Sequence, residues 1–169
     1  MNTSLSWLNR TVLGAGLTSF LADVCYEMAT AILPAFLIAL GLPPDAAARA
    51  IGFIEGVADL LSNAVKLAIG WYSDRIGQRK PFVVAGYTLT GSAFALCALA
   101  ASWPLILVAK SIAWIGKGIR SPLRNAILAD AVDPSHRGKA FGFHRAGDTL
   151  GAITGPLLAA ALLLGMPSE

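Results

Sequence analysis

Apolar positions run along this chain in five long blocks separated by short polar clusters. The blocks fall at about Gly14–Leu40, Ala47–Tyr72, Phe82–Ser102, Pro104–Leu128 and Ala140–Leu164. Each approaches or exceeds the ~20 mostly apolar residues that a helix needs to cross a hydrocarbon core. The separators are helix-stopping or strongly polar: "GLPPD" after the first block, "SDRIGQRKP" after the second, "SWP" after the third and "DAVDPSHRGK" after the fourth. Glycine and proline there end the helical pattern. The pattern therefore predicts an all-α integral membrane protein with five spans, the first softened at Pro34. Its apolar character, from Val12 to Leu40, outruns the ~7–15-residue core of a cleavable signal, so the first helix is expected to be retained.

Composition agrees with this reading. Hydrophobic residues make up 56% of the chain and charged residues 14%. Soluble domains usually carry about 25% charged residues. The net charge of +3 is local rather than spread along a face, which argues against nucleic-acid binding. Cys25 and Cys97 lie inside apolar blocks and read as free thiols packed among helices, with no disulfide framework.

Cations also give the orientation. Arg10 precedes the first block, Arg75, Arg79 and Lys80 follow the second, and Arg137 and Lys139 follow the fourth. The opposite connections hold only Arg49. Lys and Arg gather on the cytoplasmic side, so the amino terminus and the "SDRIGQRKP" loop are expected there.

Several ionisable residues fall at bilayer depth, where each costs about 2.5–3.5 kcal/mol on insertion scales. They form stripes. Glu55, Asp59, Ser62 and Lys66 lie within about a quarter turn of one another in the second helix, at 100° per residue. Lys110, Trp114, Lys117, Ser121 and Arg124 share a face of the fourth. Asp23 and Glu27 are one turn apart in the first, as are His144 and Asp148 in the fifth. The functional reading is a polar pathway for substrate and protons. Glu27, Glu55 and Asp59 are the proton candidates, and Lys110, Lys117 and Arg120 the partners for an anionic group, with Asp23, Trp114 and Asp148 beside them. The competing reading is mutual neutralisation between packed helices. Arg124, His144 and Arg145 are expected to snorkel to the cytoplasmic interface. Trp7, Trp71 and Trp103 suit an aromatic belt. Gly147, Gly151 and Gly155 form a small-residue face for close helix contact. No metal site, cofactor or phosphate-binding loop is implied.

The loop "GWYSDRIGQRK" resembles the signature between the second and third helices of the major facilitator superfamily. Gly70, Asp74, Arg75, Gly77, Arg79 and Lys80 fill its pattern. "KSIAWIGKGIRSP" resembles the family's Arg-then-Gly-x-Gly segment in helix four, with Ile112 or Trp114 at the usual Arg position. "GAITGP", with Gly151, Gly155 and Pro156, resembles the core of the fifth-helix signature of proton-coupled exporters. The resemblance implies a partial amino-terminal half of a two-bundle transporter in the cytoplasmic membrane, with a proton-coupled, antiport-type mechanism. Its partners would be lipid, a small-molecule substrate, protons and a missing carboxy-terminal half. It also implies that the loop acts as a conformational switch; from the residues themselves, Gly70 is expected to close helix two and Gly77 to permit a sharp turn. The alternative is a membrane-embedded scaffold or split-transporter subunit. A membrane enzyme lacks a supporting nucleophile–base constellation.

Overall fold

The structure is a computed structural model and describes residues 7–73, 75 and 77–165. Asp74, at the centre of the loop signature, lies outside the described residues. Five helices follow one another: α1 Arg10–Ala39, α2 Pro44–Ser73, α3 Lys80–Ala98, α4 Trp103–Asp130 and α5 Arg137–Leu164. At 1.5 Å per residue the 30-residue α1 and α2 are about 45 Å long and the 19-residue α3 about 28 Å. α3 is therefore just long enough for a ~30 Å hydrocarbon core, and the others exceed it.

Local chemistry sets the ends. α1 stops at Gly41, whose φ of +90° suits a residue without Cβ. α2 starts on Pro44, which needs no amide partner in the first turn and brings its own φ. Arg49 bonds Asp45 one turn on, at 2.7 Å. α2 runs to Ser73, so Gly70 lies inside the helix rather than closing it. A Cβ added at Gly70 or Gly77 would meet nothing within 4 Å, and neither glycine takes a positive φ. α3 ends at Ala98, four residues short of the apolar block. Its last turn closes when the Leu99 and Ala100 amides bond Leu96 and Cys97 carbonyls at 3.1 Å. Between α4 and α5, a turn of 3-10 helix, Pro134–His136, is capped by Asp133, whose Oδ1 accepts from the Ser135 amide at 2.9 Å and its hydroxyl at 2.6 Å.

Among the described residues, three helices are long and apolar enough to cross a membrane: α1, α3 and α5, the last with its preceding 3-10 turn. α2 and α4 have the length, but α2 carries Glu55, Asp59 and Lys66, and α4 carries Lys110, Lys117, Arg120 and Arg124. Large apolar side chains face outward on every helix, among them Leu17, Leu60, Leu67, Leu96, Leu105 and Leu157. An apolar outer surface is the inverse of what water solubility requires. Cys25 is exposed on that surface and Cys97 half-buried, both as free thiols, so the expectation of packed thiols fails for Cys25.

The chain forms two compact units. One takes the chain up to Ile32 and again from Ala126; the other runs Leu33–Asn125. In the first, α5 lies against α1 through glycines. A Cβ on Gly147 would stand 2.8 Å from the Gly16 carbonyl oxygen, and one on Gly151 2.6 Å from that of Phe20. The same holds at Gly155, 2.8 Å from the Val24 carbonyl oxygen and 2.9 Å from Glu27 Cβ. Only a residue without a side chain allows that approach. Asn9 ties the start of α1 to the Ala131 carbonyl at 2.6 Å. In the second unit, α3 crosses α4 at Gly86 and Gly116, where a Cβ on either would fall 2.7–2.8 Å from the other's carbonyl oxygen. Thr90 fastens the crossing by donating to the Gly86 and Ala113 carbonyls at 2.8 and 3.1 Å. Gly118 makes the matching approach to α2, 2.7 Å from the Ser62 carbonyl oxygen. An apolar core of Leu33, Leu37, Ala47, Ile54 and Ile106 fills one end of this unit.

Candidate functional site

The polar face of α2 meets that of α4 inside the second unit. Its stripe spacing puts Glu55 and Asp59 one turn apart, and both reach α4. Lys110 donates to Glu55 Oε1 as an ion pair. The Lys110 side chain is 3% exposed, whereas that of Glu55 is 32% exposed. The ammonium is thus held inside by the carboxylate, which keeps contact with the surroundings. Asp59 is exposed and accepts from Trp114 Nε1 at 2.7 Å. The Trp114 ring is buried, with Lys110 Nζ 4.8 Å and Lys117 Nζ 4.7 Å from its centroid and Phe94 edge-on at 6.0 Å. One indole thus serves two ammonium groups through its π face and a carboxylate through its N–H. Such an arrangement offers an anion two cations and a polarised aromatic wall, and it offers a proton two carboxylates.

Arg120 does not join that face. It lies roughly 60° around α4 from Lys117, at 100° per residue. Its guanidinium sits 4.1 Å over the Tyr87 ring of α3 and is buried, and Nε and Nη1 have no hydrogen-bond partner. Its place beside the Gly86–Gly116 crossing separates it from Lys110 and Lys117, with which the sequence suggested it would meet an anionic group. Arg124 reaches the same Tyr87, donating to its hydroxyl at 3.2 Å. Lys66 turns away to Asn63 Oδ1 at 3.1 Å.

The remaining pathway candidates belong to the first unit. Asp23 is buried, with its Cβ 2.7 Å from where a Gly151 Cβ would stand, and Glu27 is half-buried against Gly155 in the same way. The helix-five glycines therefore put both α1 carboxylates on the α1–α5 seam. Pro156 follows within α5. Asp148 faces His144, with Oδ2 3.5 Å from Nδ1. His144 is not an interfacial residue: it is 2% exposed, and its Nε2 lies 2.8 Å from Ser19 Oγ. Depth along the helix suggested snorkelling, but the Gly147–Gly151–Gly155 face turns His144 inward, and that periodicity was the available signal. Arg145, on the outer side, is exposed as expected. In the loop, Arg75 stacks over Trp71 at 3.9 Å.

Long helices with apolar outward side chains, and ion pairs on the helix–helix seams of each unit, define a polytopic α-helical membrane protein. The chain belongs to the major facilitator superfamily, whose profile matches residues 15–168. It is 39% identical over 158 residues to an uncharacterized MFS-type transporter of Methanocaldococcus jannaschii, covering 93% of this chain and 38% of that protein. A probable 4-methylmuconolactone transporter of Cupriavidus pinatubonensis is 30% identical over 85% of this chain and 32% of its own length. The multidrug resistance protein MdtH of Cronobacter sakazakii is 30% identical over 69% of this chain and 29% of its own length. The chain thus spans less than two fifths of the length of these relatives.

Proposed function

We propose that this chain forms the amino-terminal helices of a secondary active transporter that moves a small organic solute across the cytoplasmic membrane. In this reading, transport is coupled to protons and proceeds by alternating access. The observation that carries the proposal is the Glu55–Lys110 pair with Asp59 and Lys117 gathered on Trp114. Packing alone does not require four charges on one seam of apolar helices, given their insertion cost. A solute site uses them: cations and an indole hold a polar or anionic group, and carboxylates exchange protons. The relatives named for multidrug resistance and for 4-methylmuconolactone support an organic solute. Arg10, Arg75, Arg79, Lys80, Arg137 and Lys139 support a cytoplasmic amino terminus. Helices supplied by the rest of a full-length protein complete the cavity.

The loop from Gly70 to Lys80 acts as the conformational switch. Its charges pair in one access state and separate in the other, biasing a two-state equilibrium. A differential of about 1–3 kcal/mol is enough.

The test is proton movement by the complete gene product in vesicles carrying an internal pH dye. Pools of organic solutes should drive proton movement that is lost on neutralising Glu27, Glu55 or Asp59. A folded, inserted protein that moves neither protons nor tracer would sink the transporter reading and favour a scaffold.

A further inference from the structure

We propose that the coupling proton is carried by His144, in a site built from Ser19 on α1 and His144 and Asp148 on α5. The proposal rests on the proton-coupled reading above and adds an imidazole to the carboxylates that handle the proton. Ser19 is 0% exposed and His144 2%. Ser19 Oγ is 2.8 Å from Nε2, and Asp148 Oδ2 is 3.5 Å from Nδ1. Both ring nitrogens therefore face an oxygen.

The serine makes the site reversible. A hydroxyl both donates and accepts, whereas imidazole has one N–H when neutral and two when charged. With the proton bound, Nε2–H donates to Ser19 Oγ and Nδ1–H faces the carboxylate. With it released, the Ser19 hydroxyl rotates and donates to Nε2, while Nδ1–H stays on Asp148. In both states Nε2 keeps its hydrogen bond to Ser19 Oγ, so the usual penalty for a buried polar group is avoided at that nitrogen, while Nδ1 stays within ion-pair distance of Asp148. Loading the proton takes the His144–Asp148 pair from a net charge of −1 to zero. The neutral pair is the less costly one to carry through apolar surroundings. Imidazole is also the side chain whose unperturbed titration lies in the physiological range.

Among the described residues, ionisable groups near the ring lie on both helices. On α5 they are Asp148 and, beyond it, Arg145, 4.0 Å from Asp148 and pointing outward. On α1 it is Asp23, one turn past Ser19, against Gly151. The α4 stretch beside Ala140 presents Leu128. Asp148, 18% exposed, is the group through which the proton reaches the surroundings. Seryl–imidazole–carboxylate order also occurs in hydrolases, but a Ser19 without exposed surface admits no carbonyl. The backbone amides around it are spent inside α1 and provide no oxyanion site.

The test uses the complete gene product in lipid nanodiscs with 15N-labelled imidazoles, read by NMR from about pH 5 to 8. His144 is assigned by the signal lost in His144→Gln. One reversible protonation is expected in that range, with its midpoint displaced by about one pH unit or more in Asp148→Asn. A ring fixed in one state throughout, in both proteins, overturns the proposal. In dye-loaded vesicles, with the solute pool that drives proton movement in the wild type, His144→Gln is expected to keep solute exchange and lose proton movement. If His144→Gln moves protons at the wild-type rate, this assignment is wrong and proton-coupled transport still stands. A wild type that moves no protons removes the coupled reading itself.

Discussion

Separating Glu55 from Lys110 should expose an asymmetry that the structure already contains. Glu55→Gln leaves an ammonium in a pocket where its side chain is 3% exposed; Lys110→Met leaves a carboxylate that is 32% exposed. Removing one partner of a buried pair costs about 3–5 kcal/mol. For Glu55→Gln the lower end, about 3 kcal/mol, applies. The glutamine carbonyl still accepts from Lys110, and the Trp114 ring 4.8 Å away returns part of the loss through its π face. For Lys110→Met the freed carboxylate rotates toward its open side, so the cost falls to about 1–2 kcal/mol, within the range for an unsatisfied polar group. The double variant has no stranded charge and should recover most of the wild-type stability. The assay is equilibrium unfolding in mixed detergent micelles, followed by helical circular dichroism, as a double-mutant cycle. A coupling of about 3–4 kcal/mol is expected, the summed single effects less a small residual cost in the double variant. If the single effects add within about 0.5 kcal/mol, or if Lys110→Met is the costlier, the pair does not hold the α2–α4 face and the argument fails.

Three further outcomes follow from the geometry. Gly151→Ala puts a methyl carbon 2.6 Å from the Phe20 carbonyl oxygen and should cost about 1–3 kcal/mol by overpacking, whereas Gly14→Ala, open on all sides, should be neutral or stabilising by up to ~1 kcal/mol; thermal midpoints decide. Trp114→Phe removes the donor to Asp59 and weakens the π contact to both lysines, so solute-driven proton flux should fall while surface expression holds; unchanged flux would remove Trp114 from the site. Asp133 is held below the usual carboxylate range by the side-chain and then the backbone hydrogen bond from Ser135; such a contribution is present above the unfolded-state pKa and is lost as pH falls through the depressed folded value. Ser135→Ala should return Asp133 upward toward the ordinary range, as read by carboxyl NMR.

How much was readable beforehand depends on which coordinate of a helix the chemistry uses. Hydropathy and charge report position along the axis, and that was enough for the helical, membrane-embedded class and for the α2 stripe, whose Glu55 and Asp59 both reach α4. The angle around the axis is harder to read, because it becomes meaningful only when the neighbour is known. Arg120 is the plain case. It is three residues from Lys117, yet the glycine crossing at Gly86 and Gly116 draws that side of α4 onto α3, where the guanidinium covers Tyr87. No residue near Arg120 in sequence encodes Tyr87 as its partner. Gly70 fails for a related reason: a glycine marks a possible helix end, but the helix stops where its capping and packing stop, at Ser73.

His144 carries this reasoning furthest. Its depth near the start of α5 favoured a side chain reaching back to water, and nothing in the local sequence opposed that. The decisive information is three to eleven residues away, in Gly147, Gly151 and Gly155, which bring α5 down onto the α1 backbone and orient the whole helix. Once the helix is so oriented, the residue one turn before Gly147–Asp148 must point at Ser19. The same small residues thus set both the packing of α1 on α5 and the polarity of what is enclosed there. A substitution that widens the seam should therefore disturb proton handling at His144 as well as stability. For that reason Gly151→Ala, examined by the imidazole titration as well as by its melting point, separates a site that depends on close helix packing from one that merely sits beside it: a shifted midpoint means dependence, and an unshifted one in a destabilised protein means adjacency.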